Sequence, residues 1–178
     1  MIAGEPMAPG AAALGETKAY LRIGHGEEDA VLARLIASAA ELCEQFTGQA
    51  LLARGFAETI AASGAWTRLG RLPVRSIEQV ETLSDGDAAA LPVQDYALDV
   101  DAAGAGWVRL TGPLSAPRVR VSYSAGMAED WDGLAEPLRQ GIVRLAAHLY
   151  AHRDPADDAG PPAVVTALWR PYRRMRLR

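Results

Sequence analysis

The stretch of residues 134–153 constrains the fold most, because its apolar residues follow the period of an α-helix. Pro137 lies in the first turn, where its missing N–H breaks no hydrogen bond. Asp154-Pro155 ends the stretch, because a residue before proline disfavours helical backbone. Six apolar residues recur at steps of three and four, on one side of a helix: Leu134, Leu138, Ile142, Leu145, Ala146 and Leu149. The sequence therefore predicts a long helix with one buried side.

A second long helix is predicted over residues 27–47, after a short helix at 16–22 and a break at 24–26. Gly48 is the expected C-terminal stop. The lone Cys43 can form no internal disulfide, which fits a reducing compartment, and we interpret it as a packed small apolar side chain. The buried stripe consists of Leu32, Leu35, Ile36, Ala39, Leu42, Cys43 and Phe46.

Residues 51–123 change character and predict short strands bounded by Gly, Pro, Asp or Ser. Asp85-Gly86 is a strong turn signal between two of them. The candidate strands are 54–61, 66–69, 76–83, 96–100, 107–110 and 118–123. The predicted fold class is α+β: a mainly helical domain of two long helices plus short helices, with a small antiparallel sheet or hairpin insertion and a C-terminal helical tail.

The predicted organisation has three parts in a chain of 178 residues. Residues 1–14 are rich in Ala, Gly and Pro and predict a flexible arm, and residues 15–153 form the main domain. Residues 154–178 form a polar hinge followed by a tail. The N-terminus has no basic region before an apolar one, and the sequence has no apolar run long enough for a bilayer, so we expect neither export nor a membrane partner.

The charge of the tail is opposite in sign to that of the rest of the chain. Residues 170–178 hold five arginines and no acid, whereas the other 169 residues hold 13 basic and 22 acidic side chains, a net charge of −9. Apolar anchors on the same segment suit a helix that lies in a groove of a partner, and a helix that packs on its own domain is the alternative. The candidate partner-binding residues are Val164, Val165, Leu168, Trp169, Arg170, Tyr172, Arg173, Arg174, Arg176 and Arg178.

Catalytic and metal-binding patterns are weak. His148 and His152 share a helix face, but Leu149 stands where the zincin motif needs Glu, and no third ligand is evident. The carboxylates Asp99 and Asp101, and those at 154, 157 and 158, do not match the spacing of a Ca²⁺ loop. No serine or cysteine can be paired with a base, so we expect no enzyme activity, no metal and no cofactor.

Several short motifs, in order, resemble one family. They are KAYLRI at 18–23, EED at 27–29, FTGQAL at 46–51, LPVRSI at 72–77, DY at 95–96 and PLRQGI at 137–142, followed by His148, Tyr150 and Arg153. This layout resembles the phage head–tail connector (adaptor) proteins of the HK97 gp6-like type, including the adaptors of gene transfer agents. The motifs are distributed over residues 17–153.

The resemblance implies a structural protein of the particle neck, assembled in the bacterial cytoplasm, with no catalysis. It implies a homo-oligomeric ring of twelve copies beneath the portal, which lines a channel that DNA passes without specific binding. It also implies that the C-terminal segment binds the portal protein, and that a tail-side connector, stopper or tail terminator binds elsewhere. The alternative is a DNA-binding or DNA-packaging accessory protein that uses the arginine-rich tail.

Overall fold

The computed structural model describes residues 1–84, 87–113, 116–152 and 162–174. The fold is α+β, with 37% helix and 30% strand, and contains four helices and two antiparallel sheets within those ranges. The prediction of a mainly helical domain was therefore wrong. The chain divides into two units, one of residues 1–6 and 53–127 and the other of residues 7–52 and 128–178.

The first unit contains a five-stranded antiparallel sheet with the strand order β1-β2-β8-β4-β5. Its strands are β1 (Ile2–Gly4), β2 (Arg54–Ala61), β4 (Val74–Ser84), β5 (Asp87–Ala90) and β8 (Arg118–Ala125). In the central strand β8, every second residue is buried, as expected for a strand with one buried face: Val119, Val121, Tyr123 and Ala125.

A smaller antiparallel sheet in the same unit has the order β3-β7-β6. Its strands are β3 (Thr67–Arg68), β6 (Tyr96–Val100) and β7 (Gly106–Leu110). The side chain of Val108 in β7 is buried, as is that of Leu69 just after β3. Gly106 is needed where the backbone passes Leu69 and Val74, because a Cβ there would lie 2.9 Å from a methyl carbon of each.

A polar cluster lies within this unit. The Glu58 carboxylate accepts hydrogen bonds from the Gly70 N–H at 2.7 Å and from the Tyr123 hydroxyl at 3.1 Å. The same hydroxyl accepts the Arg71 N–H at 3.1 Å. Burial raises the pKa of Tyr123 far above its usual range, so the phenol stays protonated and acts as a donor. These bonds fix the turn at residues 70–71 to the central strands.

The second unit is helical, with α1 (Gly10–Leu21), α2 (Asp29–Thr47), α3 (Glu136–Ala151) and α4 (Ala163–Trp169), the last followed by a 3-10 turn (Arg170–Tyr172). The two long predicted helices are confirmed as α2 and α3, and α2 ends at Gly48 in the left-handed conformation (φ 72°). Leu42, which belongs to the predicted stripe of α2, is exposed. The core side chains include Leu32, Ile36, Cys43, Leu138, Ile142 and Leu145.

The N-terminal residues differ from the predicted flexible arm. Residues 2–4 pair with β2, and α1 begins at Gly10 rather than near residue 16. The side chains of Met7 and Ala13 are buried. The Ala-rich composition is compatible with disorder and with a closely packed helix, and here the small side chain of Ala13 lets α1 pack tightly. In the part of the chain that the structure describes, no helix is long and apolar enough to cross a membrane.

Candidate functional site

The C-terminal segment, residues 162–174, is the candidate functional site. Its helix α4 is packed by two side chains one turn apart, Val165 and Trp169, which are 1% and 3% exposed. The indole of Trp169 lies against the backbone of Gly141 in α3, where a Cβ would come within 2.7 Å of the ring atom Cε2. It also lies 6.0 Å from the ring of Phe46, measured between centroids. Because Gly141 has no side chain, it leaves the space in which the indole packs against α3.

Hydrogen bonds hold the segment further along its length. The Trp169 Nε1–H donates to the Leu138 carbonyl at 3.4 Å. The Gln49 side-chain amide donates to the Tyr172 carbonyl at 2.7 Å, and the Arg174 N–H donates to the Thr47 carbonyl at 2.8 Å. The Thr47 carbonyl is at the C-terminal end of α2, where helical carbonyls lack partners within the helix, and Gln49 lies two residues after that end. The segment thus follows the end of α2 as well as α3.

Other side chains of the segment face solvent. Val164 is 43% exposed and Leu168, one turn later, is half-buried. Arg170, Arg173 and Arg174 are exposed. The Arg173 guanidinium lies 5.4 Å from the centroid of Phe46, a cation–π arrangement that restricts where this charge can move. The exposed surface of the segment therefore combines apolar side chains with positive charge.

The ten candidate residues consequently separate into groups. Val165 and Trp169 pack inside the unit, which is the alternative arrangement that the sequence left open, and Tyr172 is half-buried. Arg176 and Arg178 lie outside the described residues, as do the predicted hinge at 154–161 and the Asp85-Gly86 turn. Binding to a partner by this segment stays a prediction. The described residues that could contact a partner are Val164, Leu168, Arg170, Tyr172, Arg173 and Arg174.

The supporting contacts were missed at the sequence level. Gly141 was not singled out, although a glycine inside a predicted helix costs about 1 kcal/mol relative to alanine and thus signals a close contact. Gln49 and Thr47 lie in the FTGQAL motif, where their bonds to residues 172 and 174 carry no sequence signal, since the partners are more than 120 positions away.

The other candidate groups are His148, His152, Cys43 and several acidic side chains. The rings of His148 and His152 lie 4.3 Å apart, and a ring nitrogen of His152 is 2.9 Å from the His148 carbonyl. Burial raises the pKa of the Cys43 thiol, so it stays protonated. Across residues 1–84, 87–113, 116–152 and 162–174, no three His, Cys, Asp or Glu side chains are grouped to hold a metal. The acids at 154, 157 and 158 are outside those ranges.

Asp101 has a structural role. Its carboxylate accepts hydrogen bonds from the backbone N–H groups of Ala103 and Ala105, both at 2.9 Å, and from the Trp107 indole N–H at 3.0 Å. The indole bond is the main reason that the pKa of Asp101 is lowered, with the two backbone bonds adding to it. All these partners lie in or near the turn between β6 and β7, so the carboxylate stabilises that hairpin.

Comparison with known proteins gives a likeness in structure. No family model matches the sequence, and no curated protein matches it. A chain in the neck of an empty gene transfer agent (GTA) particle, computed with C6 symmetry, has a TM-score of 0.82 and 26% identity. A chain in the virion of a native GTA particle has values of 0.80 and 27%. A third, in the neck of a native GTA particle computed with C12 symmetry, has values of 0.79 and 26%.

This fold occurs in the necks of gene transfer agent particles. In each of the three comparisons the likeness covers 99% of this chain and 97% of the other. It therefore includes both units and the C-terminal segment rather than one shared module. The narrower HK97 gp6-like family is not confirmed by these comparisons, and that resemblance rests on the sequence motifs alone.

Proposed function

We propose that this chain is a structural protein of the neck of a gene transfer agent or a related phage-like particle. The observation that carries the proposal is the likeness, over 99% of the sequence at 26–27% identity, to three chains of gene transfer agent particles, two of them from the neck. The sequence motifs at 18–23, 46–51 and 137–142 support the same class independently, because they depend on residue order and spacing and not on the fold. On this proposal the chain performs no catalysis.

The second part of the proposal is a homo-oligomeric ring beneath the portal. Two of the similar structures were computed with C6 and C12 symmetry, which supports several equivalent copies, and we propose twelve. Residues 1–169 carry a net charge of −9. A channel lined by this acidic part would repel the phosphate backbone, so DNA would pass without binding to the wall. The tail-side partner would be a connector, a stopper or a tail terminator.

The third part is portal binding by the C-terminal segment. Val165 and Trp169 hold α4 on its own unit, so the outward side is already ordered before a partner arrives. Ordering in advance lowers the entropy cost of binding. Val164 and Leu168 would supply apolar contact, and the exposed arginines would pair with acidic groups on the portal.

Charge reversal on the full-length chain tests this assignment. We expect that changing Arg170, Arg173 and Arg174 together to Glu removes co-sedimentation with portal rings. Changing only Arg173 should weaken binding less, and the effect should shrink as salt increases, because exposed charges are screened. The unfolding midpoint should change little, since these three side chains are exposed.

The matched control changes three exposed arginines elsewhere, Arg34, Arg68 and Arg118, to Glu, for the same change in net charge. It should leave portal binding intact. Equal loss of binding in both triple variants would mean that only overall charge matters, which contradicts a specific role of the segment. A DNA mobility-shift assay on the same proteins tests the accessory-protein alternative, because tight DNA binding that the first triple variant loses would favour it.

A further inference from the structure

Strand β6 is an unpaired edge that exposes apolar side chains. It lies at the end of the β3-β7-β6 sheet, and no strand among the described residues pairs with its outer side. Leu98 and Val100 are 40% and 45% exposed, although their cross-strand neighbours in β7, Val108 and Gly106, are buried. The apolar face of the sheet thus continues beyond the core and ends at this edge.

Backbone groups at the same residues point away from the sheet. The Asp101 N–H donates to the Ala105 carbonyl at 3.0 Å, and the Asp95 carbonyl accepts the Thr111 N–H at 2.8 Å, so both residues face β7. Because backbone direction alternates along an antiparallel strand, Ala97 and Asp99 also face β7. The N–H and C=O groups of the residues between them, 96, 98 and 100, therefore face outward.

The edge is held rigid at both ends. At one end the Asp101 carboxylate accepts three hydrogen bonds from the turn that leads into β7. At the other end the Asp95 carbonyl accepts the Gly112 N–H at 3.1 Å as well as that of Thr111, and the Thr111 hydroxyl donates to the Gln94 carbonyl at 2.9 Å. A strand fixed in this way loses little conformational entropy when another strand pairs with it.

The other described edges lack this combination. β1 has three residues, β3 has two, and β5 consists of Asp87 and three alanines. Among the edge strands that the structure describes, β6 alone has five residues and two exposed large aliphatic side chains. Natural proteins protect long apolar edges with charges, prolines or covering elements, because such edges pair with other chains. The side chain of Asp99 lies on the opposite face of β6 and does not interrupt the pair Leu98 and Val100.

We infer that the outer edge of β6 is an interface between neighbouring copies of this chain, in which a strand of the next copy adds to β6 and covers Leu98 and Val100. The inference rests on the proposed function, because the symmetry of the similar neck structures is what makes a second copy the occupant. A ring closes by joining one surface of each copy to a different surface of the next. An edge strand with outward backbone groups suits that role, since backbone bonds supply affinity and the two side chains supply specificity.

Two substitutions test separately the backbone hydrogen bonds and the apolar contacts of the proposed interface. Leu98→Pro removes an outward N–H but no bond to β7, and Val100→Asp places a charge where apolar contact is expected. Each should weaken self-association of the full-length chain by about tenfold or more, the loss expected from one apolar contact or one strand bond at an interface. The control Ala97→Asp adds the same charge on the opposite face of the strand, next to Arg109.

Native mass spectrometry and sedimentation velocity give the oligomer size, both for the chain alone and on portal rings. The expected result is a ring for the unmodified chain and for Ala97→Asp, and monomers or small oligomers for both edge variants with unchanged melting temperatures. A ring that both edge variants keep overturns the edge assignment and leaves the proposed function intact. An unmodified chain that forms no ring, alone or with portals, overturns both.

Discussion

Gly141→Ala tests how the C-terminal segment packs on α3. A Cβ at this position would lie 2.7 Å from Cε2 and 2.8 Å from Cδ1 of Trp169, well inside van der Waals contact. The backbone of α3 and the buried indole would both have to move. Without the indole, however, alanine is the better helix former at this position.

The two effects have opposite signs and comparable sizes. Replacing glycine by alanine inside a helix stabilises by about 1 kcal/mol. Overfilling a packed site costs about 1–3 kcal/mol, and so close an approach to a buried ring corresponds to the upper half of that range, about 2–3 kcal/mol. We therefore expect Gly141→Ala to lower the free energy of unfolding by about 1–2 kcal/mol in the natural sequence. In the Trp169→Ala background it should raise that free energy by about 1 kcal/mol.

Urea unfolding of the four proteins, followed by far-ultraviolet circular dichroism, completes this double-mutant cycle. The expected interaction energy between the two positions is about 2–3 kcal/mol. The effect of Gly141→Ala on the free energy of unfolding should change sign between the two backgrounds. If Gly141→Ala stabilises both backgrounds equally, then the indole is not seated on α3 and the segment does not pack on its own unit.

Three further predictions concern stability and reactivity. Leu32→Asp or Leu145→Asp should prevent folding, because each side chain is at most 1% exposed and an unpaired buried charge costs several kcal/mol; an unchanged melting curve would contradict the core assignment. Cys43 should not react with a thiol reagent in the folded chain and should react fully in denaturant, since its pKa is raised by burial; rapid reaction of the native protein would show an open core. The lowered pKa of Asp101 stabilises the folded chain above the usual carboxyl pKa of about 4 and loses that effect as pH falls through the lower folded value. The natural chain should therefore melt above Asp101→Asn at neutral pH, with a difference that disappears in acid, and a difference that grows in acid would contradict this sign.

The long helices could be predicted because their sequences carry the information locally. Leu138, Ile142 and Leu145 repeat at helical spacing, and Gly48 marks where α2 ends. Their buried sides follow directly from that period. Leu42 was assigned to the buried stripe and is exposed, because it lies on the margin of that stripe and the period alone does not give its width.

The extent of the sheets could not be predicted in the same way. β1 ends in alanine and glycine, and β5 is Asp87 with three alanines, residues that carry little strand preference. The pairing of β1 with β2 is long-range, and that of β5 with β4 is set by a turn. The 11 residues of β4 also exceed the predicted strand, because its register with β8 contains irregularities that break a simple alternation. The six strands predicted from their Gly, Pro, Asp or Ser boundaries do not include β1 and β5, so the sequence predicted less strand than the structure contains.

The candidate segment was found from its composition, but its packing was not. Aromatic and aliphatic side chains beside arginines indicate a helix with an apolar side, whether that side meets its own domain or a partner. The choice depends on a glycine 28 positions earlier in sequence and on an amide at position 49. Such long-range contacts leave no mark on the local pattern, so a single sequence cannot distinguish the two outcomes.

Imaging would show whether this chain forms a ring in a particle neck, as we propose. Purified full-length chain should be mixed with portal rings and examined by cryo-electron microscopy with no symmetry imposed. We expect a second ring on one face of the portal, with rotational symmetry recoverable from the images and with the C-terminal segment at the junction. Portal rings that remain bare at saturating protein concentration would contradict it.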